Sequence, residues 1–158
     1  MRSVKYIVDN LDQFQKVVRE IASSTIESKR GATVIGLYGN LGAGKTTFVQ
    51  TFAKHFGVEE TVISPTFVIE KIYPIRTNGR KRPTSNGASE FTHLIHIDAY
   101  RLEKSEELLH LGWKEIISDP KNIILIEWPE RVSDIMPEHI QIRLKVLDDE
   151  NSREIEVI

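Results

Sequence analysis

The spacing of apolar positions changes repeatedly along the chain, and each change predicts an element. Residues 4–8 (VKYIV) read as a short strand. Leu11, Phe14, Val17, Val18 and Ile21 then recur at helical spacing, with Asn10 or Asp12 placed to cap that helix. Lys29-Arg30-Gly31 breaks the stripe. Residues 32–38 (ATVIGLY) are nearly all apolar, as in a central strand covered on both faces. After a glycine-rich turn, residues 45–56 read as a helix that Gly57 stops. Residues 66–75 and 94–98 (LIHID) read as strands. Residues 105–111 read as a helix with Ser105 as cap and Glu106 and Glu107 in the first turn. Residues 122–127 (NIILIE) form a second buried strand, and 139–147 with 153–158 form a terminal hairpin around the polar turn 148–152.

Strands alternating with helices predict an α/β domain whose sheet is mostly parallel, with an antiparallel C-terminal hairpin. At 158 residues, 40% apolar and 28% charged, the chain suits one domain with one substantial core. Pro74–Glu90 stands apart as a polar, Gly- and Pro-containing stretch, expected to be a long loop. From Lys71 to His93 five Lys/Arg (71, 76, 80, 81, 82) face one acid, Glu90, a local excess of +4 in a chain of net charge −2. That excess reads either as a solvated loop or as a contact with RNA, phosphate or an acidic surface. The overall balance gives no general attraction to nucleic acid or to an acidic membrane. The absence of Cys excludes a disulfide scaffold, thiolate metal sites and a thiol nucleophile, and fits a reducing cytoplasm. No run approaches 18 apolar residues and no export signal is read, so neither a membrane span nor membrane attachment is expected.

Candidate chemistry begins at Gly39-Asn40-Leu41-Gly42-Ala43-Gly44-Lys45-Thr46, which fits G-x-x-x-x-G-K-[ST] at every fixed position. A chain of this length matches that pattern by chance about once in 200. Here a buried strand precedes it and a helix follows, as phosphate binding requires. The fold class is therefore P-loop NTPase-like. Glycines bring backbone N–H groups close to phosphate oxygens, and the helix that begins there adds its unpaired N–H groups and positive dipole end. Lys45 supplies an ammonium for the β- and γ-phosphates, the Thr46 hydroxyl is a hard ligand suited to Mg²⁺, and Thr47 can donate to the α-phosphate. Ala43 belongs to the same cradle.

Two acids lie at the carboxyl ends of apolar runs, where ligands of open α/β sheets bind: Asp98 after LIHI and Glu127 after IILI. Parallel strands would bring both near Lys45. Ser64-Pro65-Thr66 reads either as an ordinary strand-entry turn or as a segment that senses the γ-phosphate. His96 shares a strand face with Asp98 while His93 points away, so they do not pair as metal ligands. His96 reads as a donor behind the acids or as a core residue. Trp128 reads as packing on base or ribose, or as a strand-end core aromatic.

The ordered set GNLGAGKTT (39–47), SPTF (64–67), HIDAYR (96–101), EELLHLGW (106–113) and IEWPE (126–130) resembles the TsaE family, small ATPases of bacterial threonylcarbamoyladenosine synthesis on tRNA. The resemblance covers most of residues 31–130. It implies ATP on the first motif, Mg²⁺ held by Thr46 and Glu127, and a switch at Ser64 and Thr66. It also implies that hydrolysis depends on Asp98 and that Trp128 lies near the nucleotide. The partners implied are TsaB and TsaD, with tRNA contacted indirectly or weakly, and a transfer step carried out by those partners. No family role transfers to Pro74–Glu90, to the first 30 residues or to the tail. Two other readings remain open: a small-molecule kinase using Asp98 and Arg101, and a nucleotide-gated binding module.

Overall fold

The computed structural model describes residues 2–158 apart from 26, 27, 29, 64–67, 76–81, 85, 86 and 90; for 82–84 and 87–89 it gives the backbone. Strand β1 (Val4–Val8) leads into helix α1 (Leu11–Ser24). Asn10 caps α1: its Oδ1 accepts from Gln13 N at 2.9 Å, while Gln13 Oε1 accepts from Asp9 N at 2.7 Å. The Asn10 side chain thus satisfies an N–H that the helix leaves unpaired, and Gln13 ties the residue before the cap to the first turn. The helix buries Phe14, Val18, Ile21 and Ala22; Leu11, at the start of the expected stripe, is 58% exposed.

Strand β2 (Thr33–Tyr38) and helix α2 (Lys45–His55) match the reading closely. Strand β3 (Glu70–Pro74) is shorter than expected, because Val68 and Ile69 form a turn, with Ile69 at a left-handed φ of 67°. The loop expected over Pro74–Glu90 instead contains a ribbon of two short antiparallel strands, β4 (Arg82–Thr84) and β5 (Gly87–Ser89). Strand β6 (His93–Asp98) is followed by helix α3 (Ser105–Leu109). Ser105 is not its cap. Lys104 takes the extended cap position, the Glu107 carboxylate accepts from the N–H groups of Glu103 and Lys104, and the Ser105 hydroxyl donates to Asp134. Helix α3 ends early because Gly112, at φ 85°, turns the chain into α4 (Trp113–Ser118), an element the apolar pattern did not announce. Strand β7 (Asn122–Glu127), a 3-10 segment (Pro129–Ile135), and strands β8 (Ile140–Val146) and β9 (Arg153–Val157) complete the chain.

One seven-stranded sheet runs β1-β9-β8-β2-β7-β6-β3. Its centre, β8-β2-β7-β6, is parallel, and the C-terminal hairpin β8-β9 is antiparallel as expected. The antiparallel share is larger than the pattern suggested, since β1 closes on β9 and β3 closes on β6. The sheet is therefore mixed. Alternate residues of the central strands feed two cores. Ile35, Leu37, Ile123 and Leu125 meet Phe14 and Val18 of α1 and Phe48 and Phe52 of α2. Val34, Ile95, Ile124 and Ile126 meet Leu108, Trp113 and Val132 on the other face. Each fully buried aliphatic side chain adds roughly 1.5–3 kcal/mol, and covering both faces is what makes these strands read as unbroken apolar runs. Trp113 settles its indole N–H on the Ile135 carbonyl at 3.2 Å, which ties the 3-10 segment to α4.

Candidate functional site

The parallel register of β6 and β7 sets Asp98 directly beside Glu127 at the carboxyl ends of their strands. The turn from β2 into α2 passes the same end. Gly39 sits at φ 156°, and a Cβ there would lie 2.7 Å from the Leu144 carbonyl oxygen. Gly44 sits at φ 109°, a backbone that L side chains rarely adopt, with the Phe14 ring 3.3 Å from where its Cβ would be. The glycine spacing of the motif thus reflects both backbone conformation and lack of room.

Lys45, Asp98 and Glu127 are buried together, 5%, 7% and 4% exposed. The Lys45 ammonium donates to the carbonyls of Gly39 and Asn40, the latter at 3.3 Å, and lies 3.8 Å from the centre of the Trp128 ring. Burial pushes the Lys45 pKa down from its ordinary value; Glu127, Glu130 and Asp98 pull the other way and do not overcome it. The Thr46 hydroxyl donates to Glu127 at 3.2 Å from Oε1 and 3.5 Å from Oε2. His96 approaches the same carboxylate from behind, with Nε2 2.6 Å from Oε2. Asp98 Oδ1 accepts from Tyr100 N at 3.0 Å, and Glu127 O accepts from Ala99 N at 3.0 Å, so the turn after β6 is pinned to β7.

Trp128 holds a left-handed backbone, φ 58° and ψ 48°, where the chain leaves β7 for the 3-10 segment. Its ring packs on Tyr100 with centroids 5.1 Å apart, and Arg131 lies over Tyr100 at 5.6 Å. A cleft of about 820 Å³ opens over Gly42, Thr46, Asp98, Tyr100, Glu127 and Trp128. A second space of about 440 Å³ lies beside the same loop, where Ala43, Gly44 and Thr47 meet Asn10, Leu11 and Phe14 of the α1 start and Asn151 and Arg153 of the hairpin. Thr47 and Gly44 border both spaces.

The structure brings together Gly39, Gly42, Ala43 and Gly44 of the loop and Lys45, Thr46 and Thr47 of the first turn of α2, and sets Asp98, Glu127 and Trp128 against them. Ser64 and Thr66 lie outside the described residues. His93 is exposed while His96 is fully buried, the two faces expected of strand neighbours three apart. Asn10, Leu11, Phe14, Asn151 and Arg153 were not legible as site residues. They come from regions where no motif stands out, and the one hint is an exposed Leu11 in an otherwise buried stripe.

The chain matches the family model described as "Threonylcarbamoyl adenosine biosynthesis protein TsaE" over residues 8–155. It is 37% identical over 154 residues to the tRNA threonylcarbamoyladenosine biosynthesis protein TsaE of Rickettsia felis, covering 96% of this chain and 78% of that one. It is 34% identical over 151 residues to the protein of the same name from Treponema pallidum, covering 89% and 99%. The crystal structure of YdiB from Bacillus subtilis superposes with a TM-score of 0.71 at 27% identity, covering 99% of this chain and 84% of that one.

Proposed function

The chain belongs to the TsaE family of tRNA threonylcarbamoyladenosine biosynthesis proteins, and on that premise we propose that it binds ATP with Mg²⁺ and hydrolyses it slowly in support of that modification. One observation carries this reading. The Thr46 hydroxyl and the Glu127 carboxylate, 81 residues apart in the chain, meet beside Lys45 in a cleft that Asp98 also lines.

The donor set fits the cofactor. Hydroxyl and carboxylate are hard oxygen ligands, and among the described residues no group of three or more His, Asp or Glu is set to hold a metal. A cation here would complete its shell with phosphate oxygens and water, the habit of Mg²⁺. When bound, Mg²⁺ would neutralise phosphate charge.

The chain's own groups do the rest. Loop amides and the α2 N-terminus cradle the phosphates. Lys45, now resting on the Gly39 and Asn40 carbonyls and the Trp128 ring, moves its charge onto the β- and γ-oxygens and stabilises the charge that develops there. Asp98 orients the attacking water or takes its proton. Because Lys45 marks the γ end and Thr47 the α end, the nucleoside extends past Thr47 into the smaller space, against Leu11 and Phe14. Trp128 then sits by the terminal phosphates. Among the described residues lining the larger cleft Lys45 is the one cation, which accords with slow turnover unless Arg101 or a partner supplies an arginine. The partners proposed are TsaB and TsaD, with tRNA reached through them and with all of this in the cytoplasm. No helix among the described residues is long and apolar enough to cross a membrane.

Hydrolysis and calorimetry with Asp98→Ala test the reading. Turnover should fall about 10²–10⁴-fold while ATP still binds; unchanged turnover removes Asp98 from the mechanism. Labelled phosphate appearing on a member of a nucleoside panel, rather than in water, would establish a kinase instead. Nucleotide-dependent recovery of TsaB and TsaD on the tagged chain tests the partners.

A further inference from the structure

We propose that His96 is a positioning residue for Glu127, fixing which carboxylate oxygen faces Thr46 and thereby setting how tightly the pair holds a divalent cation. The proposal rests on the metal-holding role given above to Thr46 and Glu127. His96 lies on β6, is fully buried, and pairs in register with Leu125, so its ring stands one step behind the Asp98–Glu127 pair. Its Nε2 is 2.6 Å from Glu127 Oε2. An ionised carboxylate only accepts, so the proton between them belongs to Nε2. His96 Nδ1 is buried and has no hydrogen-bond partner among the described residues. With Nε2 turned to Glu127, Nδ1 is the ring nitrogen left in the core.

That orphan nitrogen separates a positioning residue from simple core filling. An apolar side chain of similar volume would close the same space with no unmet polar atom. The fold tolerates Nδ1 and in return holds a donor against Glu127. With Oε2 engaged from behind, Oε1 is the oxygen nearer the Thr46 hydroxyl, 3.2 Å against 3.5 Å. The carboxylate is therefore engaged from both sides, by His96 at Oε2 and by Thr46 nearer Oε1. Removing hydrogen-bond partners that orient metal ligands typically weakens metal binding about 10–100-fold.

The test is calorimetric titration of ADP into the full chain at graded Mg²⁺ and in EDTA, for the wild type, His96→Phe and His96→Gln. His96→Phe should raise the Mg²⁺ concentration that half-maximally enhances ADP binding by about 10–100-fold, leaving ADP affinity in EDTA unchanged. His96→Gln, which returns an N–H near the position of Nε2, should recover most of the loss. In a Glu127→Gln background His96→Phe should add nothing. Unaltered Mg²⁺ dependence in His96→Phe, or equal loss in the Phe and Gln variants, overturns the proposal while leaving the metal-holding role of Thr46 and Glu127 intact. A wild type whose ADP binding ignores Mg²⁺ overturns that role, and this proposal with it. Should His96→Phe fail to fold by near-ultraviolet circular dichroism, nitrogen-15 NMR of the wild type decides. An Nε2 proton resonance that moves when Mg²⁺ joins ADP supports the proposal. A resonance indifferent to Mg²⁺ defeats it.

Discussion

Strands β6 and β7 end in buried charge, and the β2–α2 turn brings the buried Lys45 to the same point, whereas on the antiparallel flank β8-β9-β1 the charged residues are half-buried or exposed. At the centre Lys45, Asp98 and Glu127 are almost wholly covered. On the flank an ion pair, Lys5 to Glu154 at 3.7 Å, joins side chains 55% and 25% exposed. Exposed pairs of that kind contribute about 0–1 kcal/mol, while buried charges depend on every partner they retain. The flank therefore stabilises through its apolar residues, Ile142, Leu144 and Ile155. The centre places polar groups where an apolar core would be more stable, as functional sites commonly do.

Substitutions in the two regions should separate binding from stability. Lys45→Met is expected to reduce ATP affinity more than any other single change, by at least about 100-fold in calorimetry, since a full charge at the phosphates is lost. Its thermal midpoint should not fall, because the variant also removes a desolvated ammonium. A clear drop in midpoint would mean that the central charges stabilise the fold as well. Ile155→Ala should do the converse, lowering stability by about 2–5 kcal/mol in urea unfolding and leaving ATP affinity unchanged. A matching loss of affinity would show that the apolar residues of the flank, and not only Asn151 and Arg153, shape the site.

Glu70 offers a smaller test at the opposite edge of the sheet. Burial raises its pKa, and its Oε1 has no hydrogen-bond partner among the described residues. The folded state then holds its proton more tightly than the unfolded chain, so stability falls as pH rises from the ordinary value of 4.5 through the raised one. Glu70→Gln should lack that decline and be the more stable protein at neutral pH, as denaturant midpoints between pH 4 and pH 7.5 would record. A parallel decline in both proteins would assign it to another group. Lys5→Ala, the mildest change, should shift stability by under about 1 kcal/mol, and less at high salt.

The same division marks what could be read along the chain. The loop 39–46, the buried runs of β2 and β7 and the acids ending β6 and β7 were legible because each is a local pattern of period, turn and polarity. The cap was legible only as Asn10 or Asp12, and the structure decides for Asn10. Helix α4 and the 3-10 segment were not: α4 has six residues and too few apolar positions to show a period, and the 3-10 segment depends on Trp128 adopting a left-handed backbone. Ser105 looked like a cap from its neighbours alone, yet its hydroxyl is taken by Asp134, 29 residues away.

Local chemistry along the chain was enough to determine that a glycine-rich G-x-x-x-x-G-K-[ST] loop follows a buried strand and that two carboxylates end others. The tertiary structure decided what those groups touch. It paired β1 with β9, set His96 behind Glu127, laid Lys45 on Trp128 and brought the start of α1 beside the loop. The physical reason is that period and propensity act over a few residues, while strand register and the meeting of side chains from distant elements are settled by how the whole sheet buries its two faces.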